Sequence, residues 1–130
     1  MRDEIMIAIK KYDLVSKVNY IKYTDKVLKE LINNDYFLQG SYVEGFPNTL
    51  LESCSVGTPF IAFNAPGGTK EIYQPMVNGY LIENEIEYTN VLRTIIEKPS
   101  FDRRKVIKSV VDKFSSEKIL LKYETLLKEI

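Results

Sequence analysis

The sequence predicts an α/β fold in which a single parallel β-sheet is covered by helices on both faces. Short apolar runs that suit buried strands alternate with segments of helical periodicity over the first two-thirds of the chain. With 130 residues, of which 45% are hydrophobic, the chain is long enough for one core and short for two ordinary domains. In this fold class, ligands bind beyond the carboxyl ends of the strands, so the loops that follow the strands are candidate sites.

The elements in the first half of the chain are predicted by periodicity and by capping residues. Apolar residues near helical spacing predict a first amphipathic helix over residues 3–14, with one face toward the core. Residues 18–21 begin with an apolar and polar alternation, which predicts a strand, and 24–32 predicts a helix that Thr24 caps. The aromatic and aliphatic run 36–41 predicts a buried parallel strand that leads into a loop.

The second half of the chain continues this alternation. Residues 48–56 predict a helix in which Pro47 occupies the first position and Gly57 supplies a left-handed end. The remaining predicted elements are a strand over 59–63, a helix over 69–73 capped by Thr69, a strand over 80–82, a helix over 86–96 that stops before Pro99, and helices over 101–114 and 116–130. The last helix carries an apolar stripe that must pack on this domain or on another surface, and its members are Ile119, Leu120, Tyr123, Leu126, Leu127 and Ile130.

Charge and residue types exclude several classes of function. Lysine plus arginine and aspartate plus glutamate each number 18, so there is no excess positive charge for nucleic acid or anionic lipid, and nucleic acid is not an expected partner. The absence of histidine removes the Ser-His and Cys-His nucleophiles and the usual zinc sites. The single cysteine, Cys54, is expected to be a buried, unreactive thiol. Residues 102–105 predict the first turn of a solvated helix rather than an anion site.

Two glutamates flank the predicted start of the helix over 48–56. Glu44 lies in the loop before this helix and Glu52 lies within it, with Gly-Phe-Pro-Asn-Thr following Glu44. The free N–H groups and positive dipole of a helix N-terminus hold a diphosphate well, and carboxylates accept hydrogen bonds from sugar hydroxyls. A nucleotide sugar offers both kinds of group. From the residues alone, the same pattern also suits a surface loop followed by an exposed helix position.

Three motifs in fixed order resemble the family 4 (group 1) glycosyltransferases, which are retaining enzymes of the GT-B fold. They are SYVEGFPNTLLES (41–53), GTPFIA (57–62) and PGGTKEI (66–72), and the flanking segments VNY (18–20) and NGYLI (78–82) extend the resemblance over nearly the whole chain. The resemblance implies that residues 1–130 are part of the C-terminal nucleotide-sugar-binding domain. This domain has a Rossmann-like parallel sheet with flanking helices and forms one half of the GT-B fold.

The resemblance also implies roles for individual residues. Glu44 and Glu52 match the two glutamates of the family's Glu-x7-Glu motif. Glu44 is then the catalytic candidate, in contact with the donor sugar near the reacting centre, and Glu52 accepts hydrogen bonds from the nucleotide ribose. The other implied donor-binding residues are Gly45, Phe46, Asn48, Thr49 and Leu50. The family usually works without a metal, so no cofactor is expected besides the nucleotide-sugar donor.

The family's acceptor domain, and its arginine and lysine for the diphosphate, lie upstream of the matching region. We therefore expect a missing N-terminal domain or subunit, a sugar, lipid-linked or other acceptor in the complete enzyme, and negligible activity from this chain alone. Lys22 and Lys70 are expected to be surface lysines rather than replacements. A noncatalytic binding or interaction module and a remnant of a truncated gene are the alternatives. With no secretory signal or membrane-length apolar run, the expected location is cytoplasmic, with a peripheral position at the inner membrane as an alternative for the complete enzyme.

Overall fold

Within the described residues, 2–97 and 101–129 of a computed structural model, three parallel strands form the centre of the fold. They are β1 (Phe37–Gln39), β2 (Phe60–Phe63) and β3 (Gly79–Ile82), hydrogen-bonded in the order β1-β2-β3. Phe37 is aligned with Phe60, and Phe60 with Gly79, in the two parallel pairings. The predicted parallel sheet is confirmed.

Helices cover both faces of this sheet. They are α1 (Arg2–Lys11), α2 (Val27–Ile32), α3 (Asn48–Ser55), α4 (Thr69–Ile72), α5 (Glu85–Glu97), α6 (Arg103–Phe114) and α7 (Ser116–Lys128). Phe60 and Ala62 of β2 pack in one buried cluster with residues of α3, α4 and α6. Ile61, which lies between them, packs in a second cluster with Ile95 of α5. Because successive strand residues point to opposite faces, this alternation places helices on both sides and confirms the α/β fold class.

Asn78 fixes the turn that leads into β3. Its side chain is fully buried, and its Oδ1 accepts a hydrogen bond of 2.8 Å from the Gln74 amide. Its Nδ2 donates to the Ile72 carbonyl at 2.8 Å and to the Ser109 hydroxyl at 3.0 Å. The residue predicted as part of a tight turn thus also joins α4, β3 and α6.

Arg103 ties the start of α6 to the end of α2. Its guanidinium donates to the carbonyl oxygens of Ile32 and Asn34, each at 2.8 Å. Asp102 caps α6, since its carboxylate accepts a hydrogen bond of 2.9 Å from the Arg104 amide. These contacts agree with the prediction of a structural helix start rather than an anion site.

The strand predicted over 18–21 is wrong. The Val18 amide donates to the Leu14 carbonyl at 3.0 Å, which closes a turn, and Val18 and Ile21 are 43% and 46% exposed. A strand needs a hydrogen-bonded neighbour, and none of the described strands pairs with this segment. An apolar and polar alternation alone does not supply that neighbour.

The first two helices are shorter than predicted. The helix expected over 3–14 ends at Lys11, because Asp13 adopts a positive φ of 54°. Of its apolar face only Ile9 is buried, so most of the expected core contact is absent in the described structure. The helix expected over 24–32 begins at Val27, because the Thr24 hydroxyl accepts a hydrogen bond of 3.0 Å from the Lys26 amide in a turn that precedes it.

Capping predictions farther along the chain had mixed outcomes. Gly57 has φ +84° after α3, as predicted, whereas Pro47 is the N-cap residue of α3 rather than its first helical residue. Thr69 does not cap α4; it is the first residue of the helix, and its buried hydroxyl finds no hydrogen-bond partner among the described residues.

The helix outlined by residues 86–96 is confirmed as α5, which ends at Glu97, while Pro99 lies outside the described residues. The apolar stripe of α7 stays accessible, with Leu127 70% exposed, and its last member, Ile130, also lies outside the described residues.

Candidate functional site

The loops that follow β1 and β2 meet at the carboxyl edge of the sheet. The β1 loop spans residues 40–47 and leads into α3, and the glycine turn spans residues 64–68 and leads into α4. Parallel strands place both segments on the same edge. The segment 44–52 therefore begins where ligands bind in this fold class, as the sequence predicts.

The glycine turn packs directly against the β1 loop. The Gly68 amide donates to the Gly45 carbonyl at 2.6 Å, and the Glu44 amide donates to the Pro66 carbonyl at 3.2 Å. Gly67 has φ +112°, and a Cβ added there would lie 2.6 Å from the Gly45 carbonyl oxygen and closer still to that of Glu44. Only glycine permits this backbone approach, so the turn fixes the position of the predicted catalytic glutamate.

The Glu44 carboxylate is held by a side chain of the strand beneath it. Gln39, the last residue of β1, donates from Nε2 to Glu44 Oε1 and is itself only 9% exposed. Glu44 is half-buried at this edge. Gln39 belongs to no motif that predicted the site from the sequence. The signal that it offered was a polar residue at the end of a strand that was otherwise predicted to be buried.

Near the start of α3, some backbone amides are already hydrogen-bonded and others are available to a ligand. The Leu50 amide donates to the Pro47 carbonyl at 3.0 Å, and the Asn48 amide donates to the Phe46 carbonyl at 2.9 Å. The amides of Gly45 and Thr49 have no acceptor among the described residues. Free amides at the positive end of a helix dipole form the kind of site that binds phosphate groups.

Glu52 lies in the second turn of α3, with one cleft on its α2 side and another on its α6 side. The cleft on the α2 side has a volume of about 370 Å³, and its other lining residues lie just before α2 or in its first turn: Asp25, Lys26, Val27, Leu28 and Lys29. The carboxylate is thus one turn beyond the free Thr49 amide and opens onto a groove between two helices. Such a groove has room for a ligand that reaches beyond the start of the helix.

The remaining predicted donor-binding residues differ in what they present to a ligand. Asn48 and Thr49 are exposed. Phe46 packs edge-on against Phe114 of α6 at 5.6 Å between ring centroids and remains 41% exposed. Leu50 is fully buried in the core, and its amide is already engaged, so the structure leaves it no side-chain surface for a ligand.

Residues outside the motif agree with their structural interpretation. Lys22 and Lys70 are exposed. Cys54 is fully buried, which confirms the predicted buried thiol, and burial raises the pKa of this thiol to about 12. The described part of the chain contains no cluster of three or more carboxylate or thiol groups that could hold a metal ion. None of the described helices combines the length and the apolar character needed to cross a membrane.

Together, the parallel sheet and the polar loops at its carboxyl edge define an α/β domain of the class in which ligands bind beyond the strand ends. A model of the family described as "Glycosyl transferases group 1" matches residues 1–112. The chain belongs to this family.

Individual proteins give the same result. An uncharacterized glycosyltransferase of Haemophilus influenzae is 33% identical over 79 residues, which cover 60% of this chain and 22% of the relative. N-acetylgalactosamine-N,N'-diacetylbacillosaminyl-diphospho-undecaprenol 4-alpha-N-acetylgalactosaminyltransferase of Campylobacter jejuni is 27% identical over 99 residues, 75% of this chain and 27% of that protein. This chain therefore spans about a quarter of each relative's length.

Solved structures confirm the fold. HepE from Anabaena in complex with UDP superposes with a TM-score of 0.84 at 20% identity, over 98% of this chain and 36% of that one. Sucrose-phosphate synthase from Thermosynechococcus elongatus gives 0.84 at 23% identity, over 98% of this chain and 34% of the synthase. The sheet and its flanking helices match GT-B glycosyltransferase structures.

Proposed function

We propose that this chain is part of the C-terminal, donor-binding domain of a retaining family 4 glycosyltransferase, and that it binds a nucleotide sugar along residues 44–52. The single observation that carries the proposal is the order of groups along this segment. A positioned carboxylate, Glu44, is followed by the free amide of Thr49 and then by Glu52 at the mouth of a groove. Sugar, diphosphate and nucleoside follow one another in the same order in a nucleotide sugar.

Each part of the donor finds suitable chemistry in this arrangement. Sugar hydroxyls donate to the Glu44 carboxylate, which Gln39 holds in place. Anionic phosphate oxygens accept hydrogen bonds from the Thr49 amide at the positive end of α3. Ribose hydroxyls donate to Glu52, and the base extends into the groove beside α2.

The proposed reaction is transfer of a sugar to an acceptor hydroxyl with the anomeric configuration retained. The bond between the anomeric carbon and the diphosphate oxygen breaks, and the diphosphate leaves with the electron pair. The acceptor oxygen forms the new glycosidic bond on the face that the diphosphate leaves, and its proton passes to the departing diphosphate oxygen. Donors aimed at the leaving diphosphate stabilise the charge that develops there, which is usually the largest contribution to such a rate.

The complete enzyme is proposed to need an N-terminal domain or subunit that presents the acceptor. The described chain covers only about a third of HepE, for which a complex with UDP is known. The Campylobacter jejuni relative is named for an undecaprenol-linked acceptor, which supports a sugar or lipid-linked sugar as the acceptor class. We expect this chain by itself to bind the donor weakly and to transfer sugar at a negligible rate.

Calorimetric titration of the purified chain with uridine and guanosine diphosphate sugars tests the donor site. Glu52→Ala should weaken binding by at least about tenfold, because it removes a charged acceptor from the ribose hydroxyls. The matched control is Glu124→Ala, an exposed glutamate of α7 that lies outside the proposed site. Equal affinity of the wild type and Glu52→Ala for every donor tested contradicts the ribose role.

A second candidate is a noncatalytic module that joins another protein through α7. The observation that favours it is the accessible apolar stripe of this helix, in which Leu120, Tyr123, Leu126 and Leu127 are each at least 58% exposed. Light scattering after size exclusion, with and without an acceptor-domain partner, tests this role. A chain that stays monomeric and binds nucleotide sugar counts against it.

A further inference from the structure

A second polar and aromatic pocket, the Tyr42 pocket, is lined in part by the loop that carries Glu44. It has a volume of about 370 Å³ and is lined by Gly40, Tyr42, Phe63, Glu85, Tyr88 and Thr89. These residues come from the β1 loop, the end of β2 and the first turns of α5, so the pocket opens at the carboxyl edge of the sheet. Its volume falls within the range of about 300–1,000 Å³ that is usual for small-molecule sites.

In the aromatic part of the Tyr42 pocket, Phe63 supports the Tyr42 ring by packing against one of its faces. Tyr42 stacks on Phe63 with 4.6 Å between ring centroids and 24° between ring planes. Phe63 is 9% exposed and also contacts Tyr88 at 5.2 Å, whereas Tyr42 is 61% exposed. A supported ring with accessible surface is suited to stack against the C–H face of a pyranose, because the negative ring face attracts the weakly positive C–H hydrogens.

The polar part of the pocket suits neutral hydroxyl groups. The Tyr42 hydroxyl donates to Glu85 Oε1 at 2.9 Å, and this hydrogen bond raises the pKa of Tyr42, so the phenol stays protonated. The second oxygen of Glu85 remains able to accept from a sugar hydroxyl. The Thr89 hydroxyl donates to the Glu85 carbonyl at 3.0 Å, which leaves its oxygen lone pairs as acceptors.

The acidic residues around the Tyr42 pocket favour a neutral sugar over an anionic nucleotide. Glu83, Glu85 and Glu87 lie at the turn into α5, where the Glu87 carboxylate accepts a hydrogen bond of 2.9 Å from the Glu83 amide. Negative groups at this density disfavour a diphosphate and leave a polyhydroxyl ligand unaffected. The free amides and the Glu52 groove, by contrast, lie along α3.

We infer that the Tyr42 pocket binds a pyranose ring of the acceptor, an inference that rests on the proposed function. Tyr42 and Glu44 belong to the same loop at the carboxyl edge of the sheet, so this loop would hold both an acceptor ring on Tyr42 and a donor sugar at Glu44. Tyr42 supplies the stacking surface, and Glu85 orients the ring through its hydroxyl groups. Both are specificity-determining residues for the acceptor rather than for the donor.

Nuclear magnetic resonance titration of the ¹⁵N-labelled full chain with methyl pyranosides tests this assignment. In the presence of UDP, glucoside, galactoside and N-acetylglucosaminide probes should shift the amide signals of the pocket residues. For the probe that binds most tightly, Tyr42→Ala should weaken binding by about tenfold, because it removes the stacking ring together with its hydroxyl group. Tyr123→Ala, which removes an exposed tyrosine of α7, is the matched control and should leave the affinity unchanged.

Two conservative variants separate binding from support of the loop. Tyr42→Phe keeps the ring and loses only the bond to Glu85, so it should retain most of the affinity, whereas Glu85→Gln should lose several-fold through its weaker acceptor. Each variant should keep the wild-type affinity for UDP and the wild-type melting temperature. If Tyr42→Ala binds pyranosides as the wild type does, or if none of the probes shifts the pocket signals, the inference is overturned.

UDP alone distinguishes failure of this inference from failure of the proposed donor site. Shifts along residues 44–52 with UDP, but none in the Tyr42 pocket with pyranosides, leave the donor site standing and remove the acceptor pocket. Pyranoside shifts in the pocket without any effect of either UDP or GDP along residues 44–52 remove the proposed donor site. UDP shifts centred on Tyr42 and Tyr88 overturn the acceptor assignment, because the pocket then takes the nucleotide.

Discussion

Replacing Gly67 by alanine tests the claim that the glycine turn positions Glu44. The added Cβ would lie 2.6 Å from the Gly45 carbonyl oxygen, closer still to that of Glu44, and the residue would keep a φ of +112°. Relief of this overlap requires the glycine turn and the β1 loop to separate. Separation stretches the hydrogen bond from the Gly68 amide to the Gly45 carbonyl, which is 2.6 Å long.

The expected loss combines three costs. A side chain at positive φ costs about 1–2 kcal/mol, overpacking costs about 1–3 kcal/mol, and a weakened backbone hydrogen bond adds about 1 kcal/mol. Because the costs overlap when the loop moves, Gly67→Ala should lower the free energy of unfolding by about 2–5 kcal/mol. It should also weaken binding of nucleotide sugars, since the loop that carries Glu44 is displaced.

Urea unfolding followed by circular dichroism measures the stability change. The control is Gly40→Ala in the same β1 loop, where an added Cβ meets nothing within 4 Å, so its unfolding free energy should stay within about 1 kcal/mol of the wild type. A Gly67→Ala protein as stable as Gly40→Ala would refute the tight apposition of the two loops.

Two further predictions concern the same region. Gly45→Ala should leave the unfolding free energy within about 1 kcal/mol of the wild type, because the added methyl group meets nothing within 4 Å, yet it should weaken nucleotide-sugar binding in calorimetry; unchanged binding would argue against close approach of the donor to this backbone. Cys54, the only cysteine, should resist thiol reagents in the native protein at pH 8 and react fully in urea, because burial raises its pKa to about 12. The ordinary pKa is 9.0, so the unfolded chain ionises first, and the contribution of Cys54 to stability is complete below pH 9 and falls as the pH rises toward 12. Rapid native labelling, or a contribution that grows over this pH range, would contradict the buried position.

Local patterns predicted the elements that pack on the sheet. Three of these local patterns agree with the structure. They are the apolar run of β2, the positive φ of Gly57 and the helical periodicity of α5. Residues 18–21 carry an equally suggestive pattern, but a strand also requires a partner, which local sequence does not specify. Thr69 failed as a cap for a related reason, since burial of its side chain against the core decides its position.

The sequence predicted the two glutamates of the candidate site but not the residues that hold Glu44 in place. The resemblance of the motifs predicted roles for Glu44 and Glu52, which remain predictions. The contacts that hold Glu44 depend on the packing of the β1 loop against Gln39 and the glycine turn. Gln39, which holds Glu44, and the Tyr42 pocket depend on contacts between segments that are distant in sequence, such as Tyr42 with Glu85. Leu50 contributes its side chain to the core, so any contact between this motif residue and the donor must come from its backbone.

The crystal structure of this chain soaked with a uridine or guanosine diphosphate sugar tests the donor site most directly. We predict that the ribose hydroxyls contact Glu52, that the diphosphate contacts the Thr49 amide at the start of α3, and that the sugar lies beside Glu44. A nucleotide bound instead in the lysine-lined cleft between α4, α6 and α7, or in the Tyr42 pocket, would contradict the account.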